Sequence, residues 1–378
     1  MNKVRFLWAI VLTAALSGCR EKYDPPVVST EKKHLVVEGV LNAGNGPTDI
    51  TISRTFKLDD TARITYENNA QVTVEGADNS VRPLNSFGNG IYHSPNLGLT
   101  IGQQYRLRII TPDGNEYLSD FVVAKQTPEI DSVGWKQTSE GVRFYVNTDD
   151  PTNNTVYYKW DFDETWEINT YYTSFYIFDG GIVRERDPSE NVTICWKHNP
   201  SNQIVVGSTA RLQSDVVFEG PINFIPKNDE RLAVRYSVLL RQYAIDKAGF
   251  EFYELMKRNT ESVGSVFDPQ PSEVWGNIRC ISDPSNMVIG YVSASTVEEK
   301  RMFVTNPELQ NWVYPQYCPS TEIVNHPDSL ILAYTTGLSP IDAIYSPNGF
   351  VIVAYLSASR PCVECTARGG SLVRPSFW

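Results

Sequence analysis

Short runs rich in Val, Ile, Tyr, Phe and Thr recur along this chain, each stopped by Gly, Pro, Asn or Asp, and this punctuation excludes a helical fold. Between His34 and Lys125 the runs are 35–41, 49–56, 71–75, 90–93, 105–111 and 117–124. The separators include 42–47, 85–89 and Pro112-Asp113-Gly114-Asn115, the last being hairpin chemistry. Six or seven strands at this spacing predict an immunoglobulin-like β-sandwich over residues 34–126. Gln126-Thr127-Pro128 marks its end, because a proline interrupts a strand ladder. A larger β-rich domain is expected over 127–378, with strands near 142–147, 156–162, 166–168, 192–197, 204–208, 232–243, 287–293 and 349–356. One inserted helix is expected near 246–259, where Asp246 can cap the N-terminus and Ala248, Phe252, Leu255 and Met256 share a face. The expected fold class is mainly β.

The first residues place that fold outside the cytoplasm. Lys3 and Arg5 precede an apolar stretch from Phe6 to Leu16, and Leu16-Ser17-Gly18-Cys19 follows. This is the layout of a lipoprotein signal peptide over 1–18, too short to span a bilayer, with cleavage before Cys19 and acylation of its thiol. Several acyl chains on Cys19 would anchor the protein, each buried methylene contributing about 0.8 kcal/mol. Residues 19–33 are polar and proline-containing and read as a tether. Arg20 stands where an aspartate would signal retention in an inner membrane, so an outer-membrane location is expected, at the cell surface or on the periplasmic face. Loss of 1–18 removes Lys3 and Arg5 and moves the net charge from -11 to about -13, which disfavours nucleic acid as a partner. Beyond the signal the longest apolar run, 350–357, is too short for a transmembrane helix.

Apart from Cys19 there are five cysteines, Cys195, Cys280, Cys318, Cys362 and Cys365. In an oxidising compartment they are candidates for disulfides, with one left unpaired and the connectivity open. Cys362-Val363-Glu364-Cys365 has the spacing of a redox pair or half a zinc site. No helix N-terminus is suggested there to lower a thiol pKa, however, and no second cysteine pair exists to complete a zinc site.

Residues 157–178 are dense in aromatic side chains. Alternation sets Tyr158, Trp160 and Phe162 against Tyr157 on the other strand face. Exposed Tyr and Trp can stack on a sugar or hold a partner, which makes Tyr158, Trp160, Trp166, Tyr171 and Tyr172 candidate binding residues, core packing being the competing reading. Asp59-Asp60, Asp149-Asp150, and Asp161, Asp163 and Glu164 lack the spacing of a calcium loop and read as solvated turn carboxylates. His34, His93, His198 and His326 are scattered, and neither a Gly-x-Ser-x-Gly elbow nor a phosphate-cradling loop is present. No catalytic residue, metal site or cofactor is therefore expected.

Several local motifs go further. They are Leu35-Val36-Val37-Glu38-Gly39, Ser53-Arg54-Thr55, Tyr157-Tyr158-Lys159-Trp160, Cys195-Trp196, Arg235-Tyr236-Ser237-Val238 and Gly290-Tyr291-Val292-Ser293-Ala294-Ser295. The tail adds Cys362-x-x-Cys365-Thr366-x-Arg368-Gly369-Gly370 and Pro375-Ser376-Phe377-Trp378. In these, and in its lipobox cysteine, the chain resembles the Bacteroidota surface lipoproteins grouped as domain of unknown function 4249. The resemblance implies a non-catalytic accessory of a TonB-dependent outer-membrane transporter in nutrient or ligand uptake. A structural or adhesive surface module and an undetected enzyme are the other readings.

Overall fold

The computed structural model describes residues 34–55, 64–261 and 274–378; Cys19, the signal and tether, Asp59 and Asp60 lie outside them. Strict alternation builds the first sheet. In Gln104–Ile110 the side chains of Tyr105, Leu107 and Ile109 are buried, while Arg106 and Arg108 face outward and pair with Glu75 and Glu116. Gln104–Ile110 joins Gln71–Gly76, Val81–Gly88, Ile91–Ser94, Thr48–Arg54 and Leu35–Glu38 in one antiparallel succession.

Later residues complete this sheet. Ile278–Cys280 pairs with Glu116–Ser119 and Val288–Ile289 runs parallel to Leu35–Glu38, while Ser293–Ser295 runs parallel to Val40–Asn42 as a separate two-stranded sheet beside it. Ile278, Cys280, Val288, Val292 and Ala294 share one core with Leu35, Ile50 and Leu107. The seam is tight enough to demand glycine. A Cβ on Gly290 (φ +151°) would lie 2.2 Å from the Val37 carbonyl oxygen, and one on Gly39 (φ +138°) 2.5 Å from that of Asp49.

A second sandwich follows. Tyr157–Asn169 lies between Ile194–Pro200 and Arg235–Ala244, with Val297–Thr305 beyond and Val205–Ser208 beside it. Its inner face packs Trp160, Phe162, Tyr236, Leu240 and Val304 against Phe144, Val146 and Ile225 of the sheet Ser132–Gln137, Gly141–Asp149 and Val216–Pro226. A third sheet, Ser320–Val324, Ile352–Ser359 and Leu338–Tyr345, shares a core of Tyr176, Leu330, Ala333, Tyr334 and Tyr355 with the helix Pro327–Thr335. The expected helix spans Lys247–Glu261. Pro327–Thr335 and the single turn Arg360–Val363 are additions to that one expected helix, too short for periodicity to mark but opened by a proline in the first turn.

Disulfides join Cys195 to Cys365 and Cys318 to Cys362, leaving Cys280 as a buried thiol. The two cysteines of Cys362-Val363-Glu364-Cys365 thus belong to different bridges. Among the described residues no three His, Cys, Asp or Glu side chains are placed to hold a metal ion. At the C-terminal end Phe377 lies over the Arg301 guanidinium at 3.5 Å, and Trp378 and Phe303 flank Arg235.

Asp150 and Glu164, expected in solvated surroundings, are buried, and so is Asp215. Asp150 accepts backbone N–H bonds from Thr152, Asn154 and Thr155. Asp215 accepts from the Thr209 hydroxyl, but its Oδ2 has no partner among the described residues. Burial, then the nearby Asp150 charge, raises the Asp215 pKa. The stability linked to this group is complete below the ordinary carboxylate pKa and is lost as pH rises through the elevated folded value. Asp215→Asn should therefore raise Tm at about pH 8, with the advantage shrinking as pH falls toward about 4. A variant less stable than the parent at the higher pH would contradict this.

Candidate functional site

The same pleat that fills the second core builds a cleft on its other side. Along Tyr157–Asn169, Tyr158, Trp160, Phe162 and Glu164 point inward, which turns Lys159, Asp161 and Asp163 to the opposite face. There Lys159 stands opposite Tyr243, Asp161 opposite Arg241, and Arg241 in turn opposite Glu299. These residues floor a cleft of about 1100 Å³. Its walls are the edge of the first β unit from Val36 to Asp49, the loop 200–204, and Phe252, Tyr253 and Met256 of the helix.

Charges on the floor are tied together. Lys159 Nζ lies 2.6 and 2.7 Å from the Asp161 oxygens, with its ammonium 4.9 Å from the Tyr243 ring centre and 5.4 Å from that of Tyr253. Arg241 donates through Nη2 to Asp163 at 2.5 Å and through Nε to Glu299 at 2.8 Å. Burial opposes the Arg241 charge, but these bonds outweigh it and the guanidinium pKa lies above its usual value. Burial also raises the pKa values of Tyr243, Tyr253 and Tyr291, assisted by Asp161 for the first two and by Asp246 for Tyr291. All three remain neutral phenols. The Tyr291 hydroxyl donates to Asp246, at 2.7 Å from Oδ1. The site therefore offers aromatic faces and many hydrogen-bond acceptors, a binding chemistry.

The five candidate binding residues lie elsewhere. Tyr158 and Trp160, 0% and 2% exposed, stack on each other in the second core, and Trp160 donates to Gln242. They present no surface to a partner, because alternation points them into the sandwich. Trp166 is half-buried with Lys197 over its ring, and the half-buried Tyr172 donates its hydroxyl to the Cys318 carbonyl. Tyr171, 58% exposed, is the most accessible of the five, and none of them lines the cleft. Sequence reasoning missed Tyr243, Tyr253, Arg241 and Glu299. The available signal was the face opposite Tyr158 and Trp160, which carries Lys159, Asp161 and Asp163 in register with Arg241 and Tyr243.

No helix among the described residues is long and apolar enough to cross a membrane. A family model described as "Domain of unknown function (DUF4249)" matches residues 20–301. No curated protein matches the chain. A solved structure of a suggested carbohydrate-binding protein from Bacteroides uniformis aligns over 58% of this chain and 92% of its own length, at 9% identity. Its TM-score is 0.13, a likeness too low to carry an argument.

Proposed function

The chain belongs to the DUF4249 family, and from that premise we propose that it is a lipid-anchored, non-catalytic binding protein of the outer membrane that serves a TonB-dependent transporter in ligand uptake. The observation that carries this reading is the cleft. It has the volume of a ligand site, and its aromatic walls and interlocked charges are suited to holding a molecule. A tethered receptor needs no chemistry of its own, because confinement beside a transporter mouth raises the local ligand concentration. The first wall of the cleft begins at Val36, a short stretch of chain after Cys19. A second reading, a structural or adhesive surface module, draws on Val324 and Val353 of the third sheet and on Phe350 and Val351 in the turn before Ile352–Ser359, which are 63, 44, 88 and 57% exposed.

Tagged protein recovered from solubilised outer membranes tests both. The wild type should carry a fatty-acid label and bring down a transporter, whereas Cys19→Ala should lose the label and the membrane. Recovery without any transporter, or undiminished labelling of Cys19→Ala, would sink the proposal.

A further inference from the structure

The charge of the cleft selects its ligand. Five carboxylates line it, Glu38, Asp49, Asp161, Asp163 and Glu299, against the two cations Lys159 and Arg241. The next cation along the floor, Arg301, lies outside the lining and under the Phe377 ring. Asp49 is bonded to His93 Nδ1 at 2.7 Å. Glu38, exposed at the rim, makes no ion pair among the described residues, and Asp163 and Glu299 each bond Arg241 through one oxygen only. Carboxylates thus outnumber cations in the lining by five to two. A phosphate or carboxylate ligand meets like charge here, and a neutral polyol brings no charge to offset it and two acceptor lone pairs for each O–H donor. A ligand rich in N–H donors and positive charge matches the surplus.

Lys159 shows what one corner already accommodates: a primary ammonium between the faces of Tyr243 and Tyr253, capped by Asp161. The cation–π and carboxylate contacts that hold it are those that would hold a second ammonium along the same wall. We propose that the cleft binds an oligocation bearing primary amines, of the size of a short lysine-rich peptide or a polyamine. This rests on the reading of the cleft as the binding site.

Fluorescence polarisation of labelled tetralysine with the purified mature chain tests it, spermidine serving as competitor to separate a polyamine from a peptide source. Tetraglutamate and maltotetraose are the anionic and neutral probes. Tetralysine should bind saturably and more weakly as salt rises. The double variant Glu38→Gln with Glu299→Gln should weaken binding about tenfold through loss of charge-assisted bonds, whereas Glu322→Gln on the distal third sheet should not. Far-UV circular dichroism and an unchanged Tm would show that the double variant folds. If maltotetraose or tetraglutamate binds instead and the double variant abolishes it, the charge argument fails while the cleft remains the binding site. If tetralysine binding ignores the double variant, or no probe binds, the cleft itself is the wrong place.

Discussion

Glu164→Ala should destabilise the second sandwich by about 3–5 kcal/mol, the loss seen when one partner of a buried charged network is removed. Glu164 is 3% exposed, and its Oε1 accepts from Tyr236 Oη at 2.8 Å, Arg231 Nη1 at 2.9 Å and Asn223 Nδ2 at 3.0 Å. Alanine would leave the fully buried Tyr236 hydroxyl without its acceptor and Arg231 with Asp229 alone. Burial and then the Glu164 charge raise the Tyr236 pKa, so this phenol cannot relieve the loss by ionising. Glu164→Gln keeps an acceptor and should lose less. Asp163→Ala, one residue away but on the cleft face, removes a part-exposed ion pair and should cost about 1 kcal/mol or less. Denaturant titration of the three variants measures the ranking; an Asp163 variant as unstable as Glu164→Ala would overturn the assignment of faces.

The bridge between Cys195 and Cys365 should matter more than that between Cys318 and Cys362. It spans 170 positions against 44. In the chain-entropy account these loops correspond to about 5 and about 4 kcal/mol. Cys195 and Cys365 are also fully buried beside Ile168, so the double alanine variant loses packing as well. Cys195→Ala with Cys365→Ala should therefore show the lower denaturation midpoint of the two pairs. The reverse order would mean that structure persisting in the unfolded chain, rather than loop length, sets the effect.

These two predictions also mark what local pattern can and cannot reveal. The pleat along 157–163 was legible, as was the strand content of the first sheet. Which face was core was not, because both carry aromatic residues, Tyr158 and Trp160 on one side and Tyr157 and Tyr243 on the other. Val297–Thr305 opens as a polar run, Val-Glu-Glu-Lys-Arg, with charges on both faces, Glu299 and Arg301 on one and Glu298 and Lys300 on the other, so alternation does not mark it. Its place in the sheet comes from pairing with Arg235–Ala244, which no local periodicity reports. Two bridges and one spare thiol followed from counting cysteines, whereas the connectivity needed the tertiary fold to bring Cys195 beside Cys365. The cleft assembles residues from 36 to 299, so its composition was beyond any single window.

The strands Ile278–Cys280, Val288–Ile289 and Ser293–Ser295 also have a consequence in time. Until they emerge, Leu35–Glu38 and Glu116–Ser119 each lack the neighbour on one side, and the sheet made first has two unprotected edges. The amino-terminal sheet therefore cannot finish folding as the chain emerges from its N-terminus. It must wait for most of the chain, which makes its closure a slow, long-range event and leaves its edges open to pairing with other chains meanwhile.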